Sequence, residues 1–327
     1  MNNTELAIAA YGVRKQYKGN ADGAGLNGFN LEVRKGAVRG LLGPNGAGKT
    51  TAVKILSTLL GMDAGEATVA GFNVTTQAHL VREKIGLVGQ YAAVDEVLTG
   101  RQNLELFGRL NHLSAKEARK RADELLERFG LTQAGNTPAD KYSGGMRRRL
   151  DLAASLIVSP SVLFVDEPTT GLDPLARKEV WEAIRSLADA GTTVLLTTQY
   201  LEEADRLADE ISMLKAGVIV AEGTPEQLKS AIGGDRLEIV LDSEADTKLA
   251  ITILRQIASA NLSVDEPENR ISAPVSDRTG ALMKVAAALM EARVEPKDIS
   301  LRRPTLDEVF IHLTGATAPY QNEEANS

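Results

Sequence analysis

Cysteine is absent from all 327 residues. No disulfide, thiolate metal site or thiol nucleophile can therefore form, and a reducing cytoplasm is the expected setting. Aromatic residues are scarce at 4%, so the core must come from Leu, Ile, Val and Ala. A basic excess is also missing: 37 Lys and Arg stand against 44 Asp and Glu, a net charge of −7. That balance argues against a non-specific nucleic-acid binder, which needs a basic face. No run of about 18 uncharged apolar residues occurs, so no segment reads as a bilayer-spanning helix and a membrane role would need a separate chain. The first ten residues carry Glu5 and no basic cluster, unlike a secretory signal. There is no internal repeat and no low-complexity tract.

What is present is an ordinary globular balance, 43% hydrophobic and 25% charged, at a length that suits a large α/β domain plus a smaller one. Short apolar stretches broken by glycine at 5–18 and 27–34 predict antiparallel strands. Val38–Leu42 reads as a buried strand that runs through a glycine-rich turn into a helix, Lys49–Leu60. Ile85–Val88 is another short strand, and 99–130 has the pattern of amphipathic helix. Val162–Val165 and Thr193–Thr197 are buried-type strands separated by a helix from Leu175 to Ala188, the spacing of βαβ units in a mainly parallel sheet. After about Gly233 the order is strand 237–241, helix 246–258, strand 270–275, helix 280–293 and strand 299–302. A last helix opens at Thr305 with Glu308 three residues on, a capping box. Residues 316–327 lack apolar periodicity and read as disordered.

The chemistry is concentrated in three places. Gly43-Pro44-Asn45-Gly46-Ala47-Gly48-Lys49-Thr50 fits G-x-x-x-x-G-K-[ST] in full. Backbone amides must approach phosphate oxygens closely, which calls for small residues, and the loop feeds a helix start whose free amides favour anions. Lys49 can reach the β- and γ-phosphates, Thr50 can place its hydroxyl on Mg²⁺, and Thr51 follows in the same turn. The strand Val162–Val165 delivers Asp166 and Glu167 to the carboxyl edge of the sheet, where ligands bind in α/β folds. Asp166 is the candidate metal ligand. Glu167, expected to point to the other side, is the candidate base for the attacking water. Third, Tyr142-Ser143-Gly144-Gly145-Met146 ends 20 residues before Asp166 and opens a long helix. Ser143 with two glycines at a helix start offers a hydroxyl and free amides to an anion.

Together these motifs resemble the ABC ATPases. The resemblance implies a P-loop NTPase of ABC type: a mixed α/β sheet core with an antiparallel β subdomain and a helical subdomain at about 92–160, within an ATPase domain at 1–232. A small α+β domain at 233–315 follows. It also implies ATP and Mg²⁺, with two chains sandwiching two ATP molecules head to tail, so that Ser143, Gly144 and Gly145 of one chain meet the γ-phosphate held by the other. By the same resemblance Tyr17 stacks on adenine, the alternative being a core aromatic. Gln90 contacts Mg²⁺ and water and senses a membrane partner, which docks at Tyr91–Thr99. Asp173, in Gly171-Leu172-Asp173-Pro174, reaches the opposite subunit. Arg147, Arg148 and Arg149 read as a solvated or interface face.

One position departs from the family pattern. Where a histidine ends the strand after the Glu167 segment, this chain has Gln199 in Thr197-Thr198-Gln199-Tyr200. Glutamine can hydrogen-bond a γ-phosphate but cannot titrate, so hydrolysis is expected to survive through Glu167 with Gln199 positioning it. Gln199, the run Tyr142–Ala153 and Arg303-Pro304-Thr305-Leu306-Asp307-Glu308-Val309-Phe310 resemble the daunorubicin/doxorubicin-resistance branch of exporters over residues 5–315. That implies a peripheral subunit at the cytoplasmic membrane face, a separate integral permease, efflux of hydrophobic drugs and no nucleic-acid partner. An exporter of lipid, polysaccharide or an ion would share the enzyme. A soluble ABC ATPase usually has two ATPase units or a coiled-coil insertion, and this chain has neither. An ATP-gated switch with negligible turnover is the third alternative.

Overall fold

The computed structural model describes residues 6–17, 25–231, 235–258 and 262–314. The tail expected to be disordered, 316–327, lies outside them. The chain divides into two units, Met1–Pro225 and Glu226–Ser327.

The first unit opens with β1 (Leu6–Gln16) and β2 (Gly25–Arg34), paired antiparallel as expected. In β2 the side chains of Phe29, Leu31 and Val33 are buried, while those of Asn30, Glu32 and Arg34 face solvent, the period-2 signature of a half-covered sheet. The chain continues through β3 (Val38–Leu42), α1 (Lys49–Leu56), β4 (Ala64–Val69), β5 (Phe72–Asn73), α2 (Ala78–Arg82) and β6 (Ile85–Val88). Strand β4 pairs with β1 and β5 with β4, giving a small antiparallel sheet ordered β2-β1-β4-β5. Helix α1 ends four residues before the expected Leu60, because Thr58 adopts a left-handed φ of 66° that an α-helix cannot continue.

The stretch expected to be helical from 99 to 130 is two helices, α3 (Gly100–Leu110) and α4 (Ala115–Arg128). Each starts with its own capping box, Thr99 with Gln102 and Ser114 with Glu117, and His112 at φ 65° turns the chain between them. Then come α5 (Gly144–Ser155), β7 (Val162–Asp166), α6 (Pro174–Asp189), β8 (Thr193–Thr198), α7 (Leu201–Leu207), β9 (Glu210–Lys215) and β10 (Val218–Gly223). The central sheet has the order β10-β9-β3-β8-β7-β6, parallel except for β10.

Every residue of β3, β7 and β8 is buried, which is why Leu41–Leu42, Val162–Val165 and Val194–Leu196 read as short apolar runs, and Arg39 is buried among them. Alternate residues of β7 face different cores. Val162 and Phe164 join Ile8, Phe29, Leu41 and Ile55 beneath the antiparallel sheet, whereas Leu163 and Val165 join Leu104, Leu126, Leu150 and Val180 under the helices. The registers Leu42↔Thr198 and Asp166↔Thr197 bring the carboxyl ends of β3, β8 and β7 side by side. The site forms there.

The second unit begins within α8 (Pro225–Ala231) and runs through β11 (Arg236–Val240), α9 (Glu244–Leu254), β12 (Ser263–Asp265), β13 (Arg270–Pro274), α10 (Arg278–Glu291), β14 (Asp298–Arg302) and α11 (Leu306–Thr314). Its sheet is antiparallel throughout, ordered β12-β13-β11-β14, and Leu237, Ile239, Ile271, Val285 and Leu289 fill its core. The expected capping box is formed: Thr305 N donates to Glu308 Oε2 at 2.9 Å and Glu308 N to Thr305 Oγ1 at 3.3 Å. Glu308 also receives both Nη groups of Arg302, at 2.9 and 3.0 Å, and pairs with Arg236 Nε at 3.0 Å.

Burial alone would raise the Glu308 carboxyl, but Arg302, the Thr305 amide and Arg236 outweigh it and hold the group below its ordinary value. A depressed folded-state pKa stabilises above the unfolded value and loses that contribution as pH falls through the folded one. Acidification below about pH 4 is therefore expected to loosen β11 and β14. Glu308→Gln is expected to remove roughly 1–3 kcal/mol at neutral pH and to flatten the acid limb. Hydrogen exchange of the β11 and β14 amides at neutral and acid pH checks both outcomes.

Candidate nucleotide site

The turn after β3 admits no side chain at Gly43 or Gly48. Gly48 has φ 108°, and a Cβ there would lie 2.5 Å from the Gly25 carbonyl oxygen. The turn wraps Lys49, whose side chain is 5% exposed. Its Nζ donates to the carbonyls of Gly43 at 2.7 Å and Pro44 at 3.3 Å and lies 3.9 Å from Glu167 Oε1. Burial pushes this ammonium down from its ordinary pKa, and the charges of Glu167 and Asp166 partly restore it. Thr50 Oγ1 donates to Asp166 Oδ2 at 3.3 Å, and Asp166 Oδ1 accepts from Thr197 Oγ1 across the β7–β8 pair. Pro44, Asn45, Gly46, Ala47, Gly48, Lys49, Thr50 and Thr51 line one cleft together with Tyr17, Gly25, Gln90 and Glu167.

Glu167 stands one residue beyond the end of β7 at φ 49°, so this left-handed turn, and not strand alternation, sets its direction. Its amide donates to Thr197 O at 2.9 Å, fixing the turn to β8. Tyr17 is 41% exposed, with its hydroxyl 3.2 Å from Thr51 Oγ1, at the cleft and not in the core. Gln199 follows β8 directly and is half-buried. The Thr50 hydroxyl, the Asp166 carboxylate and the Gln90 amide form an all-oxygen donor set, which fits a small hard cation that shares its shell with phosphates and water.

The remaining predicted residues do not line this cleft. Ser143 caps α5, its Oγ accepting from Met146 N at 3.2 Å, and Ser143 and Gly144 are exposed. Gly145 packs against α6, where a Cβ would sit 2.8 Å from Ala176 Cβ. Asp173 is exposed and caps α6 by accepting from Ala176 N at 2.9 Å.

The arginine run overturns its expected reading at one position. Successive helical residues point about 100° apart, so three in a row cannot share a face. Arg148 is 5% exposed and bonds to main-chain carbonyls, while Arg147 pairs with Glu96 at 3.0 Å and Arg149 with Glu179 at 3.2 Å. Two further groups escaped the sequence reading. Asp151, 4% exposed, accepts from Ala93 N at 2.9 Å. Glu203, fully buried on α7, accepts from Thr169 Oγ1 and Trp181 Nε1, both at 2.9 Å. Burial raises the Glu203 carboxyl despite the hydrogen bonds from Thr198, Trp181 and Thr169. For Asp151, the single carboxylate of α5, its place among Leu150, Leu152 and Ala153 was the available signal, whereas Glu203 sits beside Glu202 and Asp205 and gave none.

The ABC transporter domain family is matched over residues 26–170. A solved dimeric ATP-binding cassette in a post-hydrolysis state, bound to ADP and phosphate, is similar at TM-score 0.59 and 27% identity, covering 66% of this chain and 98% of that one. Fold and cleft thus define an ATPase of the ABC class. The daunorubicin resistance ATP-binding protein DrrA2 of Streptomyces coeruleorubidus is 57% identical, covering 94% of this chain and 95% of that protein. The daunorubicin/doxorubicin resistance ATP-binding protein DrrA of Streptomyces peucetius is 46% identical, over 97% and 95%. The chain belongs to this family of drug-resistance ABC ATP-binding proteins. Residues 223–314 match the C-terminal domain characteristic of the DrrA1-3-like members.

Proposed function

We propose that the chain powers a drug exporter, with two copies closing on two ATP molecules beneath a separate integral permease. The observation that carries this reading is a division of labour. The phosphate loop, Gln90 and Glu167 share one cleft, whereas Ser143 and Gly144 stand exposed outside it. A second copy supplies what each cleft lacks, and Asp173 lies at the same junction.

Within one cleft each side chain has a separate task. Tyr17 stacks on the adenine, and the amides of Gly46, Ala47, Gly48 and Lys49 meet phosphate oxygens. Lys49 neutralises β- and γ-phosphate charge. Thr50, Asp166 and Gln90 would hold Mg²⁺, which when bound screens the triphosphate. Glu167 orients a water and takes its proton, and Gln199 hydrogen-bonds the γ-phosphate and keeps Glu167 aligned. Because Gln199 cannot titrate, it adds no pH dependence of its own.

Among the described residues no helix is long and apolar enough to cross a membrane. In this reading the permease is a different chain, and the subunit works peripherally at the cytoplasmic face. Tyr91 and Val97, 89% and 83% exposed, offer an apolar docking edge beside Gln90. The cargo class, hydrophobic anthracycline-like drugs, rests on the relatives' names. Cells co-expressing the permease with this chain are expected to accumulate less anthracycline than cells carrying Lys49→Ala. Equal accumulation with active ATPase would remove the drug assignment and point to lipid, polysaccharide or ion as cargo.

A further inference from the structure

We propose that Arg148 is a positioning residue which, with Asp151, holds the main chain at Gln90 and Glu167 in register with the Ser143 corner. The proposal rests on the two-copy reading above and adds a route by which the copies communicate.

The geometry is specific. Arg148 lies in the second turn of the helix that Ser143 caps. Its Nε donates to Pro168 O at 2.7 Å, Nη1 to Gly89 O at 2.6 Å, and Nη2 to Asp166 O at 3.3 Å. The Gly89 carbonyl belongs to the peptide that leads into Gln90, and the Asp166 carbonyl to the peptide that leads into Glu167. One guanidinium thus grips the backbone immediately before both side chains, and again just after Glu167. Nη1 also meets Asp151 Oδ2 at 3.3 Å, while Asp151 Oδ1 accepts from Ala93 N at 2.9 Å. The loop that carries Gln90 is therefore tied to α5 at both ends.

Only arginine satisfies this arrangement. Three carbonyls and a carboxylate diverge around it, and a planar fork with five donors spans them. A lysine presents its donors from one nitrogen and reaches only part of the set. Stability is a poor explanation for the pair, because desolvating two charges offsets most of their attraction and an apolar pair of similar size often does as well. What the pair delivers is a fixed relation between three segments. When Ser143 engages the nucleotide of the other copy, any rotation of α5 is carried by Arg148 to the peptides that aim Gln90 and Glu167. Closure at one site thereby sets the geometry for hydrolysis at the other.

The test uses the full chain with Arg148→Lys and Asp151→Asn. Nucleotide affinity is measured with a fluorescent ATP analogue and turnover at saturating Mg·ATP. Arg148 touches no cleft-lining atom of the phosphate loop, so affinity is expected to stay at the wild-type value while kcat falls roughly 10- to 100-fold, the usual cost of a small misplacement. Folded variants with wild-type kcat, or with affinity lost in step with kcat, would overturn the proposal. Should Arg148→Lys fail to fold, Asp151→Asn decides, since its remaining oxygen still accepts from Ala93. A Glu167→Gln chain that stays monomeric with Mg·ATP would instead defeat the two-copy reading. Normal wild-type turnover with normal variants would defeat only the role of Arg148.

Discussion

Glu167→Gln is expected to slow ATP hydrolysis by roughly 10²- to 10⁴-fold, the contribution of one well-placed general base, while ATP still binds. The substitution keeps the side-chain volume and one carbonyl oxygen, so the turn pinned by Glu167 N to Thr197 O stays in place. It removes the proton-accepting role proposed for this residue, while Asp166 stays engaged by Thr50 and Thr197. A chain that binds but cannot hydrolyse should accumulate as the closed two-copy form. Light scattering with Mg·ATP is expected to give a dimer for the variant and a monomer once nucleotide is removed. Equal turnover in wild type and variant would end the assignment of Glu167 as base. A monomer at saturating ATP would end the clamp between the Lys49 loop and the Ser143 corner. The same comparison settles what Gln199 means: a wild-type rate well above that of the variant shows that a neutral side chain at this position supports turnover, and excludes a non-hydrolysing switch.

The parts of the site that the sequence disclosed are those in which consecutive residues do the chemistry. The phosphate loop is legible because its glycines, its lysine and its threonine stand at fixed places within eight adjacent residues. Gly48 makes the point, since its φ and the nearness of Gly25 O permit nothing larger. Asp166 was legible because β7 is apolar at every position before it. Arg148 was not, because three arginines in a row carry no periodicity, and only the packing of α5 decides which of them turns inward. Asp151 and Glu203 were hidden for a related reason: a carboxylate on an amphipathic helix is usually solvated, and here Ala93 N for Asp151 and Thr169 and Trp181 for Glu203 come from segments far along the chain. The left-handed turn at Glu167 was not legible, because pleat alternation was extended one residue past the end of the strand. The helix pair α3 and α4 was read as one stretch because both share an amphipathic pattern, although Ser114 and Glu117 repeat the capping signal of Thr99 and Gln102.

Lys49→Ala is expected to move function and stability in opposite directions. Lys49 is a buried cation lining the cleft, and its removal should weaken ATP binding by at least 2 to 3 kcal/mol, roughly the worth of a charge-assisted hydrogen bond. ATPase activity and the dimer formed by Glu167→Gln should both disappear when the substitution is added. The fold is affected the other way. Burial holds the Lys49 ammonium below its ordinary pKa, so the charged form is strained in the folded chain relative to the unfolded one. For a lysine whose folded pKa is depressed, the unfolded chain binds more protons. Stability therefore rises with pH between the lowered value and about 10.4, the unfolded one. The alanine variant lacks this strain and this alkaline rise. Without nucleotide it should melt at or above the wild-type temperature near pH 7, and its stability should stay flat where that of the wild type climbs. With Mg·ATP the order reverses, because only the wild type gains the free energy of ligand binding. Thermal melts at pH 7 and 9.5, with and without Mg·ATP, check all four corners. A variant that melts far below wild type without nucleotide would mean that the bonds from Nζ to Gly43 and Pro44 hold the loop together, and that Lys49 is structural before it is catalytic.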